Sequence, residues 1–132
     1  MIDTTAILAL MRGSPEARAI ARAIAADPRR LVSACTVLEV GIALEIERGE
    51  AAGRELDLLL HRIAAEVVPF TRVHCETARE AWRRYGAPAN AARPGFAAYC
   101  AWAVASGMGE PLLATGGLFS GTEVPTVALT TS

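Results

Sequence analysis

With 132 residues, 52% of them apolar, the chain has material for one packed core and too little length for two ordinary domains, so residues 1–132 are read as a single domain. Thirteen arginines against fourteen acids leave a formal charge of −1, which excludes strong whole-molecule attraction to nucleic acid or to an anionic membrane and confines any such contact to a local patch. Cys35, Cys75 and Cys100 are odd in number and widely spaced, which argues against a disulfide scaffold or a zinc cluster and fits a cytoplasmic protein.

The charge is unevenly spread. After Arg93 only Glu110 and Glu123 carry charge, so the carboxy-terminal part is expected to be buried or covered by a partner. There is no lysine, for which no physical reason is apparent. The amino terminus turns acidic at Asp3 without a basic, then apolar, segment, so no signal peptide is expected. The uncharged stretch after Arg93 is broken by Gly107, Gly109 and Glu110, too soon to span a bilayer about 30 Å thick.

Met1–Asp3 is a short candidate strand that leads through Thr4-Thr5 into an apolar helix over Ala6–Met11. Asp3 thereby falls at a strand-to-helix junction. Arg12-Gly13 ends this helix, and Ser14-Pro15-Glu16 is expected to restart one, with a capping hydroxyl and proline at the first position, running to Asp27-Pro28. Arg30–Ser33 reads as a strand feeding a helix from Thr36 to Arg48, with Val37, Val40, Gly41 and Leu44 as its inward stripe. Glu39 lies between Leu38 and Val40, where an unpaired buried carboxylate would cost several kcal/mol; it needs either a function or an arginine partner.

Leu56, Leu59, Leu60 and Ile63 mark the core face of a helix from Ala51 to Ala64. Glu66–Phe70 reads as a strand, and Thr71 can cap the next helix, whose Ala78, Ala81, Trp82 and Tyr85 read as a core stripe ending at Gly86. Ala87–Pro94 is a connector. Phe96–Ala105 carries no charge on any face, as expected of an interior or partner-covered helix. Pro111–Ala114 suggests an inner strand, Gly116-Gly117 a break, and Thr126–Leu129 an edge strand. The alternation implies an α/β chain with three α/β/α layers around a short, mainly parallel sheet.

Little else reads as chemistry. His61 and His74 have no nucleophile signature nearby and are not read as a pair, and Cys100 beside Trp102 reads as a small buried hydrophobe. The late glycines lack the lysine and hydroxyl of a phosphate loop. Arg12, Arg29, Arg30, Arg83, Arg84 and Arg93 are scattered, as on a solvated face, although they are candidates for an RNA-backbone surface.

The opening Ile2-Asp3-Thr4-Thr5-Ala6, the Val32-Ser33 strand with Glu39 six residues on, and the Gly109-Glu110-Pro111-Leu112-Leu113 segment together resemble the PIN-domain family, specifically its VapC-type toxins. The resemblance implies a PIN-like fold and a toxin-type endoribonuclease dependent on magnesium or manganese, usually a homodimer, silenced by a small antitoxin. It places Asp3 and Glu39 as metal-binding acids, with Thr5 as the supporting hydroxyl. Two acidic positions of the family pattern are changed. The helix that typically opens Asn-Phe-Gly-Asp here reads Gly95-Phe96-Ala97-Ala98, so Ala98 stands where an acid belongs. The following Gly-Asp-Asp-Phe is replaced by Gly116-Gly117-Leu118-Phe119, which puts Gly117 at another. Beyond these two lost positions only Glu123, in Thr122-Glu123-Val124, remains as an acid, and it would occupy a secondary position. The alternative implied by these losses is a catalytically impaired or inactive PIN-like protein that keeps antitoxin binding and dimerisation.

Overall fold

Met1–Ile2, Leu31–Val32 and Leu112–Leu113 lie side by side in parallel, and each presents two consecutive apolar side chains that are covered from opposite directions. The structure, a computed structural model, describes residues 1–86, 95–116 and 125–129. Strand β1 (Leu31–Ser33) pairs in parallel with β2 (Glu66–Val68), matching Val32 to Val67, while Ile2 bridges Val32 on one side and Leu113 on the other. Leu112 bridges Thr126, so the order across the sheet is β2, β1, the Ile2 segment, the Leu112–Leu113 segment and Thr126. The central connections are Ile2 N–H to the Leu31 carbonyl at 2.7 Å, Asp3 N–H to the Leu113 carbonyl at 2.9 Å and Leu113 N–H to the Met1 carbonyl at 2.8 Å.

Helices α1 (Thr4–Arg12), α2 (Ala17–Ala26), α3 (Ala34–Arg48), α4 (Ala51–Arg62), α5 (Arg72–Tyr85) and α6 (Phe96–Met108) surround this sheet. Side-chain alternation divides them. Ile2, Val32 and Leu113 join one core with residues of α1 to α4, whereas Met1, Leu31 and Leu112 join a second with residues of α5 and α6. The three-layer α/β/α expectation is therefore met. The uncharged α6 is interior, with every residue from Ala97 to Ala105 buried, and its alanines let it lie close to the sheet. No described helix is long and apolar enough to cross a membrane.

Several local readings change. Ser14 does not cap α2 through its side chain: the helix starts at Ala17 after a turn in which the Ala17 amide bonds the Ser14 carbonyl. Helix α3 starts earlier than expected, because the Ser33 hydroxyl accepts from the Cys35 amide and so caps the helix two residues before Thr36. Strand β2 stops at Val68, and the late segment contributes the single Thr126 bridge rather than a full strand. Trp82 is not in the core stripe of α5. Ala81 is buried and Ala78 and Tyr85 partly so, whereas Trp82 is 60% exposed at the margin of that face. A Cβ at Gly86 would come within 2.8 Å of the Trp82 ring, so the indole lies against a bare backbone. The connector 87–94 lies outside the described residues.

Arg30 ties α2 to α4. Its guanidinium donates to the carbonyls of Ile24 (3.0 Å), Asp27 (3.1 Å), Ala25 (3.2 Å) and Ile63 (3.2 Å). Charged donors to several carbonyls at two helix ends contribute more than a surface ion pair. Arg30→Met is expected to destabilise the protein by about 2–4 kcal/mol, read as a lower urea midpoint with an unchanged slope.

Candidate active site

The carboxyl ends of the parallel strands meet at Asp3, Ser33 and Thr115, the edge of an α/β sheet where ligands characteristically bind. Asp3 directly follows Ile2 and is fully buried, at 0% exposure. Alternation along the strand gives it the parity of Met1, towards the layer formed by α5 and α6. Its Oδ2 accepts from the Thr5 amide at 3.1 Å and the Thr5 hydroxyl at 2.8 Å, which makes Asp3 the N-cap of α1. Capping thus occupies only one of the two carboxylate oxygens. Oδ1 is buried without a hydrogen-bond partner, as are the Thr4 and Thr36 hydroxyl oxygens.

Thr5 is itself fixed. Its Oγ1 gives its proton to Asp3 and accepts from the Thr115 amide at 2.9 Å, joining the start of α1 to the residue beyond the Leu112–Leu113 segment. This hydroxyl therefore orients Asp3 and has no second proton to donate.

Burial pushes the Asp3 carboxyl above the usual carboxylate range. The Thr5 amide and hydroxyl and the Thr4 amide oppose that shift, and the negative charge of Glu39 reinforces it. The fold thereby brings Glu39, half-buried on the second turn of α3, within electrostatic reach of Asp3 despite their separation in sequence. Among the described residues Glu39 has no ion-pair partner, so the alternative role of neutralising an arginine finds no support there. Ala98, where the resemblance leads one to expect an acid, is 4% exposed on α6. Gly117 and Glu123 lie outside the described residues.

Thr36 on the first turn of α3 was not singled out by its sequence. It is fully buried with an unpartnered hydroxyl, yet in sequence it reads only as a helix start. His74 proves structural: its Nδ1 accepts from the Thr71 amide at 3.0 Å while the Thr71 hydroxyl accepts from the His74 amide, a capping box on α5. Of the arginines considered for RNA contact, Arg12 pairs with Glu47, Arg29 pairs with Glu110 at 3.0 Å, and Arg30 is committed to carbonyls. Arg84 lies over the Tyr85 ring, 5.9 Å from its centroid, and Arg93 is outside the described residues.

A single hard divalent cation fits this donor set. Asp3 offers an unpartnered, buried oxygen, Glu39 supplies a second negative group, and magnesium retains water and accepts phosphate oxygens to complete its shell. A richer centre does not fit: among the described residues no group of three or more His, Cys, Asp or Glu side chains could hold an ion.

A PIN-domain model matches residues 1–116. The chain is also 37% identical over 129 residues to Ribonuclease VapC30 of Mycobacterium tuberculosis, covering 98% of each, and 38% identical over 127 residues to Ribonuclease VapC of Mycolicibacterium smegmatis, covering 96% of this chain and 98% of that protein. The chain belongs to the PIN-domain family. Within it, the chain is closely related to the VapC-type toxins of bacterial toxin–antitoxin systems. Two solved structures share the fold. The crystal structure of Mycobacterium tuberculosis VapC20, described as a Sarcin-Ricin loop cleaving toxin, superposes with TM-score 0.77 at 21% identity, covering 96% of each chain. A toxin–antitoxin complex from Klebsiella pneumoniae superposes with TM-score 0.72 at 16% identity, covering 96% of this chain and 94% of that one.

The raised Asp3 value has a consequence for stability in this PIN domain. The folded chain holds the Asp3 proton to higher pH than the unfolded chain does, so stability falls as pH rises from the unfolded to the folded value and the cost persists above it. Asp3→Asn keeps an acceptor for Thr5 and removes the buried charge. In chelator at pH 7.5 it is expected to stabilise the protein by on the order of 1–2 kcal/mol, read as a higher Tm. The gap to wild type should narrow towards pH 5; a gap independent of pH would show that Asp3 is not the source.

Proposed function

We propose that this PIN-domain protein is the toxin of a toxin–antitoxin pair, an endoribonuclease that cleaves RNA phosphodiester bonds with one divalent ion, magnesium or manganese, held by Asp3 and Glu39. The observation that carries the reading is the Asp3 carboxylate, buried at the carboxyl edge of the sheet with one oxygen fixed by Thr5 and the other unpartnered. End-to-end similarity to proteins named as VapC ribonucleases supports RNA as the substrate class.

When bound, such an ion lowers the pKa of a water and neutralises charge on the phosphate. The chain's own contribution is to aim and desolvate the acids. Thr5 fixes the Asp3 carboxylate through two hydrogen bonds, and burial raises the energy of the bare anion, so a cation is favoured there. Glu39 adds a second charge from α3. Ala98 supplies none, so cleavage is expected to be slow, by roughly 10²–10³-fold relative to a site with one more well-placed electrostatic group.

The rate test uses purified protein on a panel of structured RNAs. Weak cleavage should require added magnesium or manganese and vanish in Asp3→Ala, and Ala98→Asp should accelerate it by roughly 10²-fold or more. The buried methyl of Ala98 favours a second reading, a catalytically silent toxin-fold protein. Under that reading wild type cleaves nothing while Ala98→Asp, alone or with Gly117→Asp, restores metal-dependent cleavage.

The antitoxin partner, like the homodimer expected of the family, belongs to this proposal. Leu38, Ile42 and Ile46 recur every fourth residue on α3 and are exposed, next to a groove of about 400 Å³ between α3 and α4 whose lining includes Val37, Gly41, Gly53 and Leu56. An apolar stripe at this spacing suits the apolar face of a partner helix. Ile42→Asp is expected to weaken association with the antitoxin encoded beside it at least tenfold, measured by calorimetry, and to leave the Tm within about 2 °C because the residue is exposed.

A further inference from the structure

Helix α2 packs on α1 and runs out into residues 27–30, the segment that feeds the amino end of β1. Its alanines leave room beside the sheet. Between Ala23 and Ile24 of α2 on one side and Ile2, Leu113 and Val127 on the other lies a cavity of about 540 Å³. Asp3, Ser33 and Thr115 mark the carboxyl ends of the strands, so this cavity lies towards the opposite end of the sheet. It shares no lining residue with the candidate site or with the groove between α3 and α4. Spacing along α2 gives no sign of it, because the gap depends on how the helix sits against strands distant in sequence.

Size and lining define the ligand. A volume of this order accommodates a small molecule, and aliphatic walls call for an apolar body. The border calls for an anionic head, because three arginines, Arg22, Arg29 and Arg30, stand there against one acid, Asp27. Arg30 donates to carbonyls, which satisfy its hydrogen bonds without cancelling its charge, and among the described residues no ion pair involves it. Those carbonyls include Ile24 and Ala25 at the carboxyl end of α2, so the partial negative charge of that helix end is already offset. Arg29 meets Glu110 through one nitrogen at 3.0 Å and keeps about half its side chain exposed (51%).

We propose that this cavity is a binding site for a small amphipathic monoanion, a medium-chain aliphatic carboxylate. Its chain lies against Ile2, Ile24 and Leu113, which takes apolar wall and apolar chain out of water together. Its carboxylate stays at the border, drawn to the arginines and still partly hydrated. A neutral alkyl compound gains only the first of these contributions, and an alkylammonium is repelled by the second. The site is independent of the nuclease chemistry proposed above.

Titration of the isotopically labelled full chain with octanoate, followed by two-dimensional amide NMR, tests the assignment. Saturable shifts are expected at the amides of Ile2, Ala23 and Leu113, with an affinity of about millimolar or tighter. Binding of 1-octanol and of octylammonium should each be about fivefold weaker or more. Ala23→Phe puts a ring into the cavity and should abolish the shifts at Ile2 and Leu113. Arg22→Glu changes an exposed residue, should leave the fold intact, and should weaken octanoate binding about fivefold or more. The proposal is overturned by an absence of saturable shifts at about 10 mM octanoate, by equal binding of 1-octanol, or by shifts centred on Leu38 and Ile42 of α3.

Discussion

The arrangement turns on a carboxylate that the fold buries and half satisfies. Asp3 stands at the end of the central strand segment, where its amide is required by the Leu113 carbonyl and its position is dictated by the sheet. A buried charge at such a place costs free energy unless paired or hydrogen-bonded. Thr5 offsets part of this cost through two bonds to one oxygen, and the same hydroxyl accepts from Thr115, so three segments converge on one side chain. What remains uncompensated is Oδ1 and the repulsion from Glu39, and both are relieved by a cation. Under the proposed function, stability of the bare fold and affinity for an ion are therefore opposed at this residue.

That opposition gives the alanine at position 98 a physical meaning. A further carboxylate on α6 would add like charge near Asp3 and raise its proton affinity again, so an acid-rich centre without its ion is strained. Ala98 is a buried methyl group on α6, and under the proposed function it brings neither that charge nor a ligand. Under that proposed function, a chain with two acids rather than more would hold its fold without metal and stabilise the transition state of phosphodiester cleavage less well.

The layers were legible because their signals are local and periodic. Apolar spacing marked all six helices to within a few residues, and paired apolar positions at Leu31–Val32 and Leu112–Leu113 marked strands covered on both faces. Asp3 and Glu39 were singled out by junction position and by motif, and electrostatics couples them in the structure. Less visible were features set by contacts distant in sequence. Trp82 shares the spacing of Ala78 and Ala81, but a position at the margin of a helical stripe is decided by the neighbouring helix, and here the indole turns onto Gly86. His74 is marked as a cap only once the Thr71 turn is known. Gly117 and Glu123 were nominated by resemblance and lie outside the described residues.

The arginines complete the argument about substrate. A chain near neutrality attracts a polyanion through whichever cations its fold leaves uncommitted. Arg12 and Arg29 are held by Glu47 and Glu110, Arg48 divides its donors between Glu55 and the Met11 carbonyl, and Arg30 is engaged by four carbonyls. These residues spend their charge joining helices, so they contribute little to long-range steering. Arg18 on α2, Arg54 and Arg62 on α4, and Arg79 and Arg83 on α5 are exposed, and Arg72 lies in an exposed pair with Glu76 that salt readily screens. Exposed arginines distributed over three helices of a near-neutral chain give weak long-range attraction for a polyanion, so under the proposed function RNA binding would rest on short-range contacts.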